Sequence, residues 1–267
     1  LANRMRAIDS AVALSLKTHS ELRIVWFKDC GLNCRFDQLF EPFDIPTVTV
    51  VEASKADLFL YDRPRRKNFF IPRLPQKWLF DSCIYEAQVP KLVQGDFDFC
   101  RWAENKTVYI ASFVQFYSPD TEWKPYAIFK PQPSLVREID ARRSRFGSNT
   151  IGIHIRRTDN EISIAQSPTH LFIDRMEKEL RRNCDTTFYL ATDSEEDKSR
   201  ITRQFGDRVF FSAQKADRNS VEGIREALVE LYLLSHTCRM WGSVHSSFSE
   251  TAAQIGNIPY EAIKSRE

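Results

Sequence analysis

The sequence has little glycine, and its few glycines form none of the usual phosphate-binding motifs. Only 8 of its 267 residues are glycine, and none is followed by lysine or stands two positions from another glycine. This pattern excludes the P-loop and the Gly-x-Gly turn of dinucleotide-binding folds. No histidine precedes glutamate, so the His-Glu-x-x-His zinc motif is absent as well.

Long hydrophobic runs and a charge of one sign are also missing. No apolar stretch approaches the roughly 20 residues that span a bilayer, so we expect no integral membrane segment. The 38 Lys and Arg residues exceed the 36 Asp and Glu residues by only 2, which argues against a general polyanion-binding protein.

The composition is typical of a globular protein, and the chain is long enough for one large or two ordinary domains. No Cys-x-x-Cys pair occurs, and we predict that most cysteines are reduced core thiols. The cysteines are Cys30, Cys34, Cys83, Cys100, Cys184 and Cys238. The first residue is not Met, so we expect further residues before Leu1. We predict a cytoplasmic protein, with a truncated secretory-pathway enzyme as the alternative.

The first half of the chain has an irregular pattern. Helical spacing of apolar residues predicts a helix over 3–18, and β-rich runs predict strands at 22–27, 47–51 and 107–111. Residues 62–78 contain three prolines and are predicted to be mostly loop.

The second half alternates regularly between predicted strands and helices. Strands are predicted at 151–155, 187–192, 209–211 and 239–242, and helices at 134–146, 169–181, 195–205, 221–234 and 248–255. Such alternation predicts an α/β domain with a doubly wound parallel sheet. Ligands bind such sheets beyond the carboxyl ends of the strands. We predict two domains, 1–133 and 134–267.

Three polar clusters follow predicted strands of this second domain, and the first contains His154 and Arg156. These side chains share one face of a strand with Gly152, because side chains alternate across a strand. Arginine offers permanently charged, paired donors for phosphate oxygens, so the cluster suits a diphosphate. The alternative is a structural ion pair between arginine and Asp159.

The second and third clusters each have a structural and a functional interpretation. Asp193 is either the N-cap of the next helix, with Glu196 three residues on, or a hydrogen-bond partner of a nucleotide. Ser247 and Glu250 match a capping box, and the helix that follows offers amide donors to an anion. A capped helix without a ligand is the alternative.

Together the clusters resemble the GDP-fucose-dependent fucosyltransferases of the GT-B fold, which include α1,6-fucosyltransferases, nodulation fucosyltransferases and protein O-fucosyltransferases. The resemblance is carried by the His-x-Arg-Arg-x-Asp run at 154–159, the Ala-Thr-Asp run at 191–193 and the Ser-Ser pair at 246–247. Residues 2–6 are similar to the family's Gly-Asn-Arg turn, with Ala2 where glycine is usual. The resemblance implies two Rossmann-like lobes, with 1–133 on the acceptor side and 134–267 binding the nucleotide sugar.

The resemblance also implies an activity: inverting, metal-independent transfer of fucose from GDP-fucose to a glycan or glycoconjugate hydroxyl, without a cofactor. Arg156 would stabilise the departing diphosphate. The other implied donor-binding residues are Asn3, Arg4, His154, Arg157, Asp193, Glu230, Ser246, Ser247 and Phe248. Ile164 stands near the position of the family's glutamate base, so Glu161 is our first candidate for the base and Asp159 the second.

Other functions are open at this stage. They are a transferase with another nucleotide sugar, a non-catalytic nucleotide- or glycan-binding protein, and a metal-dependent transferase that uses the Asp-x-Asp at 96–98. The basic and aromatic segment 62–78 resembles a single-strand nucleic-acid site. We favour a solvated loop there and expect a nucleotide sugar and a glycan as partners, with no nucleic acid.

Overall fold

The computed structural model describes residues 1–29, 31–61, 74–119, 123–157, 161–214 and 217–265. The helices are α1 (Ala2–Lys17), α2 (Asp57–Leu60), α3 (Leu74–Leu79), α4 (Val89–Gln94), α5 (Phe99–Ala103), α6 (Pro133–Arg143), α7 (Glu161–Gln166), α8 (Thr169–Arg182), α9 (Glu195–Phe205), α10 (Val221–Ser235) and α11 (Ser247–Gly256). The strands are β1 (Leu22–Trp26), β2 (Val48–Glu52), β3 (Ser82–Ile84), β4 (Val108–Ile110), β5 (Thr150–Ile155), β6 (Thr187–Thr192), β7 (Val209–Phe211), β8 (Arg239–Ser243) and β9 (Tyr260–Ile263).

The chain divides into two compact units, Leu1–Lys130 and Pro131–Glu267. In the second unit five parallel strands form one sheet in the order β7-β6-β5-β8-β9. This arrangement confirms the predicted doubly wound α/β sheet. The sequence analysis missed β9, since only its last residue, Ile263, is buried. Among the described helices, none is long and apolar enough to cross a membrane.

Strand β5 lies at the centre of this sheet, at the point where the strand order reverses. All six of its residues are buried. Its three isoleucines pack into a core with side chains of α8, α9 and β8, among them Phe172 and Trp241. Its other face turns toward α10 and α11, which pack against each other. The carboxyl ends of β5 and β8 therefore flank the switch point, where such sheets bind ligands.

Gly152 in β5 makes room for a helix. A Cβ at this position would lie 2.8 Å from Thr237 Oγ1 and 3.1 Å from Leu234 Cδ2, at the end of α10. Gly152 therefore serves packing against α10, since protein atoms already fill the space beside it.

We predict that Gly152→Ala lowers the free energy of unfolding by about 1–3 kcal/mol, because the added methyl group overpacks the contact with α10. Gly147→Ala is the matched control, since a Cβ there meets nothing within 4 Å. Urea unfolding of both variants measures the effect. Equal stability of the two variants would contradict this account of the α10 contact.

The first unit contains two separate parallel pairs of strands, β1 with β2 and β3 with β4. Its first helix, α1, packs against β1 and α5. The sequence analysis left α2, α4 and α5 unassigned, and it predicted a loop where α3 forms. Pro75 lies in the first turn of α3, where the missing N–H has no intrahelical acceptor to lose. Residues 62–73, which hold most of the basic and aromatic segment, lie outside the described residues.

The cysteines correct another prediction. Of the five described cysteines, only Cys34 is fully buried, and Cys184 and Cys238 are exposed. The two exposed thiols lie in the short loops that lead into β6 and β8. The prediction that most cysteines lie in the core is therefore wrong.

Candidate functional site

Polar side chains gather where β5, β6 and β8 end. Because these strands are parallel neighbours, their carboxyl ends meet at one edge of the sheet. The residues that follow the strands are Arg156 and Arg157 after β5, Asp193 and Ser194 after β6, and Val244 to Ser246 after β8. The three clusters found in the sequence thus lie at one edge.

His154 joins β5 to the start of α11. Its buried imidazole Nδ1 lies 2.7 Å from Ser249 Oγ and 3.2 Å from Ser246 Oγ. The ring also packs against Phe248, with 4.8 Å between the ring centroids. Because Nδ1 already contacts two hydroxyl groups, Nε2 is the ring nitrogen that could contact a ligand.

Two arginines place positive charge around this histidine. Burial, the charge of Arg156 and, with a smaller contribution, the charge of Arg218 together lower the pKa of His154 to about 3. Asp193 acts in the opposite direction. The imidazole is therefore neutral at physiological pH, beside two guanidinium groups. Sequence analysis missed Arg218, which follows β7 and so belongs to the same carboxyl edge.

We predict that stability falls as the pH drops from about 6.5 toward 3, because the unfolded chain protonates His154 there and the folded chain does not. The expected loss at pH 5 is about 2 kcal/mol. His154→Asn, which keeps a polar atom near the two serines, should remove this part of the pH dependence. Urea unfolding at several pH values measures it, and parallel profiles of the two proteins would contradict it.

The amino terminus of α11 is capped by Ser246, whose Oγ accepts a hydrogen bond from the Ser249 amide. The predicted capping box of Ser247 and Glu250 is thus wrong by one residue. Ser246 has extended backbone angles, as an N-cap requires, whereas Ser247 is already helical. The amides of Ser247 and Phe248 lie in the first turn and have no acceptor within the helix. Amides in this position are the donors that a helix amino terminus can offer to an anion.

The residue before this cap, His245, has a φ of +54°. This left-handed conformation is uncommon for residues other than glycine, and such residues cluster at functional sites. It forms part of the turn between β8 and α11 and so helps set the direction of the helix amino terminus.

Arg157 is bound into the protein itself. Its Nε donates to Asp197 Oδ2 at 2.8 Å, its Nη2 donates to Ser167 O and Thr169 Oγ1, both at 2.8 Å, and its Nη1 donates to Arg156 O at 2.9 Å. Four donor contacts of the guanidinium are used in this way. Arg157 thereby fixes the backbone that carries Arg156, and its predicted contact with the donor stays a prediction.

Arg156 is placed by its backbone, whose amide donates to Ser243 Oγ at 3.2 Å and so holds the end of β5 beside β8. Asp193 is not the N-cap of α9. Its Oδ1 accepts a hydrogen bond from the Arg157 amide at 2.6 Å. Ser194 is the cap and accepts from the Asp197 amide, so Glu196 plays no part in the capping.

Glu230, on α10, is one of two carboxyl groups near this edge. Burial and, after it, the negative charge of Glu226 raise its pKa to about 8, against the opposing charges of Lys198 and Arg142. The Glu226 carboxylate is paired with Arg142, with 2.9 Å between Oε2 and Nη2. Asp193 is close enough to Glu230 to affect its pKa as well. Its raised pKa means that the Glu230 carboxyl group is largely protonated at neutral pH.

Glu161 is exposed in the first turn of α7, a helix that the sequence analysis missed. The segment after α7 is anchored to the carboxyl edge, since Ser167 Oγ accepts from the Val244 amide at 3.0 Å and donates to Ile263 O at 2.6 Å. Asp159, the second predicted base, lies outside the described residues.

The two predicted donor-binding residues of the first unit lie in the first turn of α1. Arg4 has partners within its own unit: its guanidinium contacts the Phe27 carbonyl, pairs with Asp29 Oδ1 at 2.9 Å and stacks 4.9 Å from the Trp26 ring centroid. Burial lowers the pKa of Arg4. The predicted approach of Asn3 and Arg4 to the donor stays a prediction.

Solved structures share this fold. NodZ α-1,6-fucosyltransferase, from Bradyrhizobium, was solved with GDP-fucose and matches with a TM-score of 0.66 and 20% identity over 96% of this chain and 89% of its own. A mutant of Arabidopsis thaliana FUT1 in complex with GDP matches at 0.57 and 13% identity, over 100% of this chain and 69% of its own. POFUT1 in complex with GDP matches at 0.52 and 9% identity, over 98% and 95%. The chain has a GT-B-like α/β fold. No family model and no curated protein sequence matches it.

The Asp-x-Asp at 96–98 has a structural role. Asp98 caps α5, with its side chain accepting from the Arg101 amide at 2.9 Å. Within the described ranges, no group of three or more His, Cys, Asp or Glu side chains is arranged to hold a metal ion.

Proposed function

We propose that this protein is a fucosyltransferase that uses GDP-fucose as its donor and a glycan or glycoconjugate hydroxyl as its acceptor. The observation that carries the proposal is the contact of His154 Nδ1 with Ser246 Oγ and Ser249 Oγ at the amino terminus of α11, together with the charges of Arg156 and Arg218, which lower the pKa of the same imidazole. The fold shared with NodZ, FUT1 and POFUT1, which were solved with GDP or GDP-fucose, supports it. We assign the nucleotide sugar to residues 134–267 and the acceptor side to residues 1–133.

The diphosphate is the first part of the donor. The cationic side chain of Arg156 and the amides of Ser247 and Phe248 offer charge and donors to its oxygens. Ser246 contributes through its position as the helix cap, because its hydroxyl already contacts His154 and the Ser249 amide. These groups are fixed before any ligand arrives, as electrostatic stabilisation of a leaving group requires.

The guanosine part is assigned to the carboxyl groups of this edge. Guanine presents two adjacent N–H donors, and a carboxylate can accept both. Glu230 suits this role, because burial without a partner disfavours its charge and a bound guanine would supply that partner. Asp193 and His154 Nε2 lie near enough to contact the nucleoside, since Asp193 influences the pKa of both His154 and Glu230.

The proposed reaction is a single displacement with inversion. The acceptor hydroxyl oxygen bonds to the anomeric carbon of fucose, from the face opposite GDP, while the bond from that carbon to the phosphate oxygen breaks. The bonding electrons leave with GDP, whose charge Arg156 stabilises. The hydroxyl proton passes to Glu161, or to Asp159 in its place. Because arginine supplies the positive charge, we propose that no metal takes part.

We predict that GDP raises the melting temperature and that UDP, CDP and ADP do not. At a GDP concentration of 100 times its Kd the stabilisation is about 2.7 kcal/mol, equivalent to roughly 5 °C or more for a chain of this length. Arg156→Ala and Glu230→Gln should each remove most of the shift. Arg203→Ala, an exposed arginine in the last turn of α9, is the matched control.

A larger shift with another nucleotide would favour a transferase with a different nucleotide sugar. A GDP shift that survives Arg156→Ala would contradict the assigned diphosphate site.

We predict that Glu161→Gln lowers the rate of fucose transfer by about 10²-fold or more, because a general base contributes that much, and leaves the GDP-induced thermal shift unchanged. Transfer of labelled fucose to a panel of glycans measures the rate, with Asp159→Asn compared in parallel. EDTA should leave the rate unchanged. GDP binding with no transfer to any glycan would favour the non-catalytic alternative, and dependence on Mn²⁺ would overturn the proposed metal independence.

A further inference from the structure

Two glutamates lie one turn apart on α10 and have different surroundings. Glu226 and Glu230 are four residues apart, so their side chains share one face of the helix. Glu226 is buried, with only 4% of its surface exposed, whereas Glu230 is partly exposed. A ligand at the carboxyl edge could therefore contact Glu230, while Glu226 could act on that ligand only through its neighbours.

Arg142, on α6, holds Glu226 in place. Its Nη1 donates to Glu226 Oε1 at 2.5 Å and its Nη2 donates to Oε2 at 2.9 Å, which is the paired geometry of a guanidinium and a carboxylate. The same Nη2 also donates to Glu138 Oε1 at 2.5 Å. One positive charge thus serves two carboxylates, and the three side chains together carry one negative charge.

Glu230 has no comparable partner, since it forms no hydrogen bond and no ion pair with the residues that the structure describes. The two cations that act on its pKa are Arg142 and Lys198. Lys198 Nζ donates instead to Glu195 Oε1 at 2.9 Å and to Ser212 O at 3.3 Å. Both cations are therefore bonded to other acceptors.

A charge on Glu230 would also lie beside the like charge of Glu226, which is unfavourable at this helical spacing. The further titratable side chains on the elements packed against α10, and after β6, are Tyr189 on β6, Asp193 after β6, His154 on β5 and Glu250 on α11. Two of these are carboxyl groups, His154 is neutral, and burial raises the pKa of Tyr189, so none of the four adds a positive charge beside Glu230.

We propose that Glu226, fixed by Arg142, is a positioning residue that keeps the Glu230 carboxyl group protonated in the free protein, and that the guanine of the donor ionises this group on binding. The N1–H and N2–H groups of guanine donate to the Glu230 carboxylate, and the carboxyl proton passes to water. Each bound donor therefore releases a proton. The ligand in this inference rests on the proposed function, whereas the state of the free protein does not.

The first test is the titration of Glu230 in the free, full chain. Carbon-13 NMR of the glutamate carboxyl groups gives its midpoint, and Glu230→Gln identifies the signal. We expect a midpoint near pH 8, lowered by about one pH unit or more in Glu226→Gln, because a like charge is removed. Glu222→Gln is the matched control, since Glu222 is exposed one turn earlier on α10 and should leave the midpoint unchanged.

A second variant guards against a loss of folding, because Glu226→Gln takes an anionic partner from Arg142. The double variant Arg142→Gln, Glu226→Gln replaces the ion pair by two amides that can hydrogen-bond to each other. It should also lower the midpoint of Glu230, but by less, because Glu226 affects this pKa more strongly than Arg142 does. Circular dichroism checks that each variant is folded.

The second test counts the protons released on binding, by calorimetry with GDP-fucose in buffers of different ionisation enthalpy. GDP-fucose is chosen because both of its phosphates are esterified, whereas a terminal phosphate such as that of GDP titrates at about pH 6. We expect release of about 0.9 proton per donor at pH 7, which is the fraction of Glu230 that a pKa of about 8 leaves protonated. Glu226→Gln should release about half of this or less.

A Glu230 midpoint below about pH 6 would overturn the proposal, as would a midpoint that Glu226→Gln leaves unchanged. Binding of GDP-fucose without proton release would also overturn it, and would leave the proposed function intact. If the free protein titrates as expected but GDP-fucose does not bind, the role of Glu226 is supported and the proposed function is contradicted.

Discussion

The candidate site depends on one buried, neutral imidazole at the centre of the parallel sheet. His154 is the last residue of β5 on the face that turns toward α10 and α11. Its Nδ1 contacts the hydroxyl groups of Ser246 and Ser249 at the start of α11. Two hydrogen bonds therefore tie the central strand to the helix whose amino terminus faces the switch point. A protonated ring would place a buried charge next to Arg156, and burial prevents this by lowering the pKa. The neutral ring lets positive charge lie at the sheet edge without placing it in the core.

This arrangement needs close approach between strands and helices, which two glycines permit. A Cβ at Gly242 would lie 2.4 Å from Ser249 Oγ, so the hydroxyl that contacts His154 occupies the space of a missing side chain. The absence of a side chain at Gly152 likewise lets the end of α10 lie close to β5. Both glycines serve packing, yet they determine the geometry of the site, because they set how far each helix lies from the sheet. The amino terminus of α11, to which we assign the diphosphate, is thus positioned from within the core.

The sequence predicted the second unit well because its signals are local and repeated. The alternation of strands and helices predicts the parallel sheet. Because the carboxyl ends of parallel strands lie at one edge, it also predicts where the site lies. The finer errors arise where neighbouring residues have the same chemistry. Either serine of the 246–247 pair can cap a helix, and backbone angles alone select Ser246. Arg156 and Arg157 are equivalent in sequence, but only the structure shows that Arg157 is bound by Asp197, Ser167 and Thr169. Arg218 lay in a loop without any motif.

In the first unit the sequence predicted α1, β1, β2 and β4 but not the short helices. In the second unit β5 is paired on both edges and buried along its whole length, so its apolar pattern is strong and orders its neighbours. The strands of the first unit are each paired on one edge, and β4 has no fully buried residue. Short helices such as α3 and α4 then depend on contacts distant in sequence, which local periodicity does not record.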